Sequence, residues 1–391
     1  MKGFESLKIS GNSRDLILFT LILLLGFGGI LILYPASSVI AQIGEGDPEY
    51  YFKKQILWFV IGILSLLFFS FFPLEILRKL AVPGMLIVMI LLALVYVPGI
   101  GKSVSSNRES FNRWISLGPI TFQPSEFAKI ALILYASTVF AKKDRFPEDF
   151  SLQKYLPSLI FASVPLVAIV AEPQYGTTVC MIVVLVTMLY LSGFPAIRLF
   201  VLLLGSFPPM FLVAILYKYR LERFRVWLDP YEYRYEGGYQ LVTSYRAFRE
   251  GGMFGEEFAS GFAHRYLTYG HTDFILALFA ENHGLFGIVI LIALFLLVMW
   301  RAIYVVRKIQ DPFIFMLASG SVIMIITQTL LNMLVVVGLV PTTGVSLPFV
   351  SYGGSSLIVT LSFCGIILNA TSYNREPGIK PDVSKEAEGV A

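Results

Sequence analysis

Charge is the scarcest property of this chain. Lys and Arg number 30 and Asp and Glu 26 in 391 residues, together 14%, where a soluble domain carries about 25%. A chain so poor in charge and 56% hydrophobic is neither disordered nor a soluble enzyme. Cysteine is nearly absent as well. Cys180 and Cys364 both lie within apolar runs, which excludes a disulfide scaffold and marks them as small buried hydrophobes. The three histidines, His264, His271 and His283, show no metal-ligand spacing with cysteine, so no metal site is expected. A net charge of +4 is too small to indicate nucleic acid as a partner.

What the chain has instead is long apolar runs. After a polar start, residues 16–36 form a stretch of about 20 residues, long enough to cross a hydrocarbon core and longer than the core of a signal peptide. Further runs lie near 56–72, 80–97, 127–140, 156–170, 177–191, 197–217, 274–300, 313–340 and 357–370. They are too long and continuous for barrel strands, and only helices and closed barrels satisfy backbone groups in lipid. The expectation is an all-α polytopic membrane protein, a bundle of about ten transmembrane helices within one integral-membrane domain over residues 1–373. Residues 374–391, polar and rich in Pro, Gly, Lys and Glu, are expected to form a flexible cytoplasmic tail.

Lys and Arg in the connections set the orientation. With the first residues inside, the inner connections hold sixteen of them and the short outer ones five, Lys53, Lys54, Lys102, Arg108 and Arg113. Both termini are therefore expected in the cytoplasm. One outer connection stands apart. Residues 218–272, between spans 7 and 8, carry eight Lys or Arg, seven Asp or Glu and nine Tyr or Trp. Connections longer than about 15 residues are usually functional or disordered, and this aromatic content predicts a large extracytoplasmic loop folded over the outer face.

Ionisable groups at membrane depth are costly and mark functional positions. The chain has few: Glu126, Lys129, Glu172 at a span edge, Asp273 and Glu281. Gln123-Pro124-Ser125-Glu126 reads as a helix start, with Pro at the first helical position and an acid at the positive end of the dipole. Lys129 falls one turn on, placed to pair with Glu126. That pair either orients the helix or meets substrate. Arg113-Trp114 suits either an interfacial belt or a phosphate site. His271-Thr272-Asp273 ends the long loop, and Asp273 is either a helix cap or a general base at the outer surface. Glu281, eight residues on, lies about 12 Å along the helix and is not a touching partner.

Taken in order, these strings resemble the FtsW/RodA family of bacterial shape, elongation, division and sporulation proteins, which polymerise peptidoglycan. The resemblance runs from the first span to about residue 372. It rests on Arg113-Trp114-Ile115 with Leu117-Gly118, Gln123-Pro124-Ser125-Glu126 with Lys129, Glu172-Pro173, Gly176-Thr177-Thr178, Asp229-Pro230 and Gly238-Tyr239-Gln240. It continues through Gly251-Gly252, Gly255, His271-Thr272-Asp273-Phe274, Glu281, Gly284 and Gly287 to Pro348-Phe349 and Ser351-Tyr352-Gly353-Gly354-Ser355-Ser356. Pro341-Thr342-Thr343-Gly344 looks more like the FtsW branch, of division, than the RodA branch, of elongation.

The resemblance implies a peptidoglycan glycosyltransferase acting on lipid II, a disaccharide-pentapeptide on undecaprenyl pyrophosphate. It would work at the outer face of the bacterial cytoplasmic (inner) membrane, at the division septum. Asp273 matches the family's essential outer-face aspartate and takes the role of base. Arg113, Lys129 and the loop's Arg246 are the candidates for the pyrophosphate. Trp114, Glu126, His271, Glu281, Ser351 and Ser355 are further substrate-binding candidates, the small residues of 351–356 serving either a substrate or a tight turn into the last span. No tightly bound cofactor is implied, although a divalent cation such as Mg can accompany the pyrophosphate.

The implied partners are the growing glycan strand, a single-span class B penicillin-binding protein that crosslinks it, and other divisome or elongasome membrane proteins. The ninth span, with Asn332 and Gly338, is a candidate surface for such a partner. Two other classes compete: a flippase that moves lipid II without making a bond, and a non-catalytic division scaffold. Four sites depart from the family pattern. Gln174 stands where Asp usually follows Glu-Pro, Thr121 where a basic residue is common, Tyr269-Gly270 where Pro-Glu and a variable residue are common, and Asn282 where a second acid is usual.

Overall fold

The computed structural model describes residues 14–106, 109–118, 120–141, 152–172, 174–199, 201, 218–256, 261–267 and 269–373. Helix α1 (Leu16–Glu45) starts under a cap, the Asp15 carboxylate accepting from the Leu18 N–H at 2.8 Å. Then come α2 (Tyr50–Phe71), the short α3 (Leu74–Lys79), α4 (Ala81–Leu94), α5 (Pro124–Phe140), α6 (Leu152–Ala171) and α7 (Tyr175–Leu191). The long loop holds α8 (Lys218–Leu228), α9 (Tyr239–Gly251) and α10 (Phe262–Tyr266), and α11 (Ile275–Val306), α12 (Pro312–Val336) and α13 (Gly354–Thr371) close the bundle. Described helices cover every expected span except the seventh, most of which lies outside the described residues, as does the tail from 374. Five of them, α1, α2, α11, α12 and α13, are long and apolar enough to cross a membrane.

Two polar contacts fix which helix ends share a face. Asp15 pairs with Arg301 at 2.6 Å, and its N–H donates to Thr371 Oγ1 at 3.3 Å. The start of α1 and the ends of α11 and α13 therefore lie together. At the other face Gln55, near the start of α2, donates to the Ser351 carbonyl at 3.1 Å. This is the alternation that a bundle of antiparallel neighbours requires, with the long loop on the second face. Helix α13 is the hub and is buried along almost its whole length. It packs so closely on α2 that a Cβ at Gly365 would stand 2.4 Å from the Leu66 carbonyl oxygen.

One small element stands beside the expected helical bundle. Residues between α4 and α5 form an antiparallel sheet, β1 (Gly101–Ser106), β2 (Glu109–Leu117) and β3 (Ile120–Phe122), in the order β1-β2-β3. The segment is too short and polar to span, and alternation of apolar and polar residues in Ile115-Ser116-Leu117 and Ile120-Thr121-Phe122 suits strands. Its register slips at one point. Trp114 pairs with Lys102 and Asn112 with Ser103, which leaves Arg113 as a bulge.

Helix α11 is broken. At Gly284 the backbone turns to φ 60°, ψ −163°, a conformation suited to glycine. The N–H groups of Leu285 and Phe286, freed by the break, donate to the carbonyls of Gly252 and Met253 at 2.9 and 3.1 Å, and the Glu256 N–H donates to the Glu281 carbonyl at 2.8 Å. The loop is thus stitched into the interruption. Residues 275–281 are buried beneath it, whereas Leu285, Phe286, Val289 and Ile290 are exposed and begin the lipid-facing surface.

Candidate functional site

Asp273 sits in the turn that delivers the chain to α11. The Asp273 and Thr272 N–H groups both donate to the Tyr269 carbonyl, at 3.2 and 3.1 Å. From α12, Asn332 Nδ2 holds the Asp273 carbonyl at 2.8 Å and the Val345 carbonyl at 2.7 Å. The N-cap of α11 is Phe274, without a side-chain cap bond, so the aspartate is not used as a cap. Its carboxylate, half-buried, opens instead into a cavity of about 660 Å³. Burial pushes that carboxyl up to about 6, against the lowering pull of the Arg223 charge, the Thr272 hydrogen bond and the Arg113 charge. At neutral pH the group is mainly ionised and basic enough to take a proton.

The cavity collects cations. Arg113, Lys102 and Lys129 all line it, with Trp114 between. The bulge explains how neighbours on one strand share the wall: successive strand residues normally face opposite ways, and the extra residue re-aims Arg113. The Arg113 guanidinium is anchored by Nε donating to the Glu172 carbonyl at 2.9 Å. Deeper, Lys129 Nζ meets Glu126 at 2.6 Å, both side chains being buried, and donates to Gln328 Oε1 at 3.1 Å. Gln328 Nε2 in turn reaches the Ser346 carbonyl and Ser356 Oγ.

Gln174 is the hub of the wall beside Arg113. Its Oε1 accepts from Gln123 Nε2 at 2.6 Å and from Ser125 Oγ at 2.7 Å, while its Nε2 donates to Glu172 Oε2 at 2.6 Å. In the turn between α6 and α7, burial raises the Glu172 carboxyl to about 8, against the Arg113 charge and the Gln174 hydrogen bond, so it carries a proton at neutral pH. An amide at 174 suits that neighbour, because it can donate where a second carboxylate could not.

The structure brings Asp273, Arg113, Trp114, Glu126 and Lys129 together on one cavity and leaves the other candidates off its wall. Arg246 pairs with Glu250 at 2.6 Å and covers the Phe262 ring. Glu281 is fully buried, accepting from the Ala263 N–H at 2.9 Å and facing His264 Nδ1 at 2.6 Å, so it fastens α10 to α11. Asn282 completes that cluster at 3.0 Å from His264 Nε2. Ser351 Oγ accepts from the Leu347 N–H and Ser355 Oγ from the Gln123 N–H. His271 lies behind the wall, against the Tyr51 ring. The ninth-span surface is corrected as well. Asn332 is buried on Asp273, and a Cβ at Gly338 would strike the Tyr245 hydroxyl of α9. Reasoning from sequence missed Lys102, Gln328, Tyr51 and Tyr352, whose distant segments meet only in the fold.

Among the described residues no three His, Cys, Asp or Glu side chains cluster as a cation site. Glu126, which shares the cavity wall with Asp273, pairs with Lys129, and Glu172 accepts from Gln174. The donor set does not suit a resident divalent cation.

Fold and cavity define a multi-pass helical membrane protein with a cationic chamber at one face. Residues 15–376 match the family of cell cycle proteins FtsW, RodA and SpoVE, and the chain belongs to that family. It is 34% identical over 362 residues to a probable peptidoglycan glycosyltransferase FtsW of Geobacter sp. (strain M18), covering 92% of this chain and 97% of that protein. A chain of a peptidoglycan synthase complex, in a structure described as the structural coordination of polymerization and crosslinking, superimposes with a TM-score of 0.75 at 26% identity, over 93% of this chain and 99% of that one. The rod shape determining protein RodA of Thermus thermophilus shares the fold, with a TM-score of 0.68 at 23% identity over 93% of this chain and 98% of that one.

Proposed function

We infer that the cavity is the reaction chamber of a peptidoglycan glycosyltransferase and that Asp273 is its general base. Family membership and the activity named for the FtsW relatives make the chain a peptidoglycan glycosyltransferase of cell-wall synthesis. The observation that supports the assignment of the base is that Asp273 opens onto the same cavity as Arg113, Lys102 and Lys129. In the reaction, the acceptor sugar's 4-hydroxyl on lipid II attacks the anomeric carbon of the lipid-linked end of the growing strand. The new C–O bond forms as the hydroxyl proton passes to Asp273, and the bond to pyrophosphate breaks with its electron pair leaving on the phosphate oxygen. Arg113 and Lys102 stabilise that charge, and Lys129 orders the deeper wall. A cation accompanying the pyrophosphate would be held by the phosphates rather than by this chain, and no step here depends on one.

Placement of both termini in the cytoplasm and of the chamber at the outer face follows from the Lys and Arg count. The septum is the site of action that suits an FtsW-type chain. The solved complex that it resembles, which couples polymerization and crosslinking, supports a crosslinking partner, and by the family resemblance that partner is read as a transpeptidase of class B acting among other division proteins. The test is to give the purified protein labelled lipid II in detergent. Glycan strands on a gel are expected from the parent and not from Asp273→Asn, and equal strand formation by both would remove the base. Movement of lipid II without strands would favour the flippase.

A further inference from the structure

Part of the chamber wall is aromatic, and nothing in the reaction above uses it. Tyr51 comes from the first turn of α2, Tyr269 from the turn before α11 and Tyr352 from the turn before α13, and all three line the cavity. They form one unit with the base. The Asp273 N–H donates to the Tyr269 carbonyl at 3.2 Å, and the Tyr352 N–H donates to the His271 carbonyl at 3.0 Å. The Tyr51 ring lies on both His271 and Tyr352, with centroids 4.5 and 4.9 Å away.

One feature of this unit points to a ligand. Tyr269 adopts φ 57°, the left-handed region, although it is not glycine. Such strain clusters where function needs it. With the side chain 50% exposed, its own packing does little to offset the strain, which serves to keep the ring at the cavity. His271 is 94% buried, and among the described residues its Nδ1 has no hydrogen-bond partner. His271 stands behind the rings and off the cavity wall, so it backs the Tyr51 ring rather than meeting a ligand itself.

We propose that Tyr51, Tyr269 and Tyr352 form a stacking platform for an N-acetylhexosamine ring, that of the acceptor sugar whose hydroxyl Asp273 deprotonates. The proposal rests on the reading of Asp273 given above. A pyranose presents C–H bonds on its face and hydroxyls at its rim, which matches an aromatic ring that ends in a phenol. The same chemistry belongs to the donor's sugar, but the donor is held through its pyrophosphate by the cations. The acceptor has to be held against the base, and Tyr269 and Tyr352 are hydrogen-bonded within the turn that carries it, with the Tyr51 ring against His271 and Tyr352.

The test uses the full-length protein carrying Asp273→Asn, so that nothing turns over, and two probes. One is the methyl glycoside of the lipid-free disaccharide-pentapeptide, and the other is undecaprenyl pyrophosphate. Tyr269→Gly removes the ring and the strain together and so keeps the fold; Tyr352→Leu keeps apolar bulk. Each is expected to weaken the glycoside by about tenfold or more while undecaprenyl pyrophosphate binds within twofold of the parent. Tyr352→Phe, which keeps the ring, should retain most of the affinity.

Glycoside affinities within twofold of the parent in both variants, equal loss of both probes, or loss of the pyrophosphate alone would each overturn the platform. So would the absence of glycoside binding by the parent. Strand formation by the wild-type protein, measured in parallel, separates this from failure of the underlying reading. If strands form and the tyrosine variants bind the glycoside normally, the platform alone is wrong. If no strands form, the chamber reading fails first.

Discussion

Asn332 Nδ2 donates to the backbone carbonyl of Asp273 at 2.8 Å, from a helix 59 residues further along the chain. The same amide holds the Val345 carbonyl at 2.7 Å, so one side chain ties the base's turn to the segment before α13. Asn332→Ala frees two buried carbonyls, at a cost of about 1–3 kcal/mol. It also loosens the carboxylate's position, for which a displacement of 1 Å can cost about 100-fold in rate. The expected result is a stable, membrane-inserted variant whose strand formation falls by about 10- to 100-fold while undecaprenyl pyrophosphate still binds. A rate equal to the parent's would show that the turn holds itself.

As the proposed base, Asp273 sets a pH profile. With the Asp273 carboxyl raised to about 6, turnover should be level near neutrality and fall as pH drops through about 6, tenfold per unit further down. Asp273→Asn should lose about 10²–10⁴-fold, and Asp273→Glu should recover little of it, because the longer arm displaces the oxygen. Initial rates of strand formation across pH measure both effects. A rate in Asp273→Asn near the parent's would dismiss the assignment.

Arg113→Ala removes a cation from the chamber and should reduce turnover by about 100-fold. Arg113→Lys restores the charge but not the bond from Nε to the Glu172 carbonyl, so only partial recovery is expected. Trp114→Phe should be milder than Trp114→Ala. Equal rates for Arg113→Ala and the parent would leave Arg113 with a purely structural role on β2.

Glu172 gives a stability signature. Its folded carboxyl, at about 8, binds a proton more tightly than the ordinary group at 4.5. Its contribution is therefore fully present below 4.5 and is lost progressively as pH rises toward about 8. Glu172→Gln mimics the protonated form and should flatten this decline in melting temperature. Parallel curves for variant and parent over that window would show that the carboxyl titrates alike in the folded and unfolded chain.

The Glu281–His264 pair makes a contrasting claim. Glu281→Ala leaves a buried ring and two N–H groups facing nothing and should cost about 3–5 kcal/mol, read as a fall in melting temperature. Glu281→Gln keeps one acceptor and should cost less. Turnover per folded molecule should stay close to that of the parent in Glu281→Gln, and its collapse would move this acid into the chemistry.

Legibility in the sequence followed the range of the interaction. The start of α5 was readable because Pro124, Glu126 and Lys129 act within one turn. Asp273 was visible as the end of a motif, but whether it caps or opens to a cavity depended on Phe274 taking the cap position. Arg113 showed as a cation at an edge, whereas its bulge exists only once β1 pairs with β2. Glu281 looked like a membrane-depth acid with a possible role in binding, since His264, its partner, lies 17 residues away across a break in regular structure. Tyr51 gave no signal at all, because an aromatic near a span end is what any membrane helix offers.

The break at Gly284 turns α11 into a ruler. Exposed apolar surface suited to lipid begins at Leu285, while the proposed base is carried ahead of Ile275, so about 15 Å of helix, buried over residues 275–281, sets how high above the hydrocarbon the carboxylate stands. The substrate is tethered by its tail to that same hydrocarbon boundary. Height is therefore a coordinate that protein and substrate share, and a match in length does part of the work of recognition before any sugar is touched. One residue added between Asp273 and Gly284 would lift the base by about 1.5 Å and swing it by about 100° around the helix. Such an enzyme would keep every side chain named here and reach for its substrate at the wrong level of the membrane.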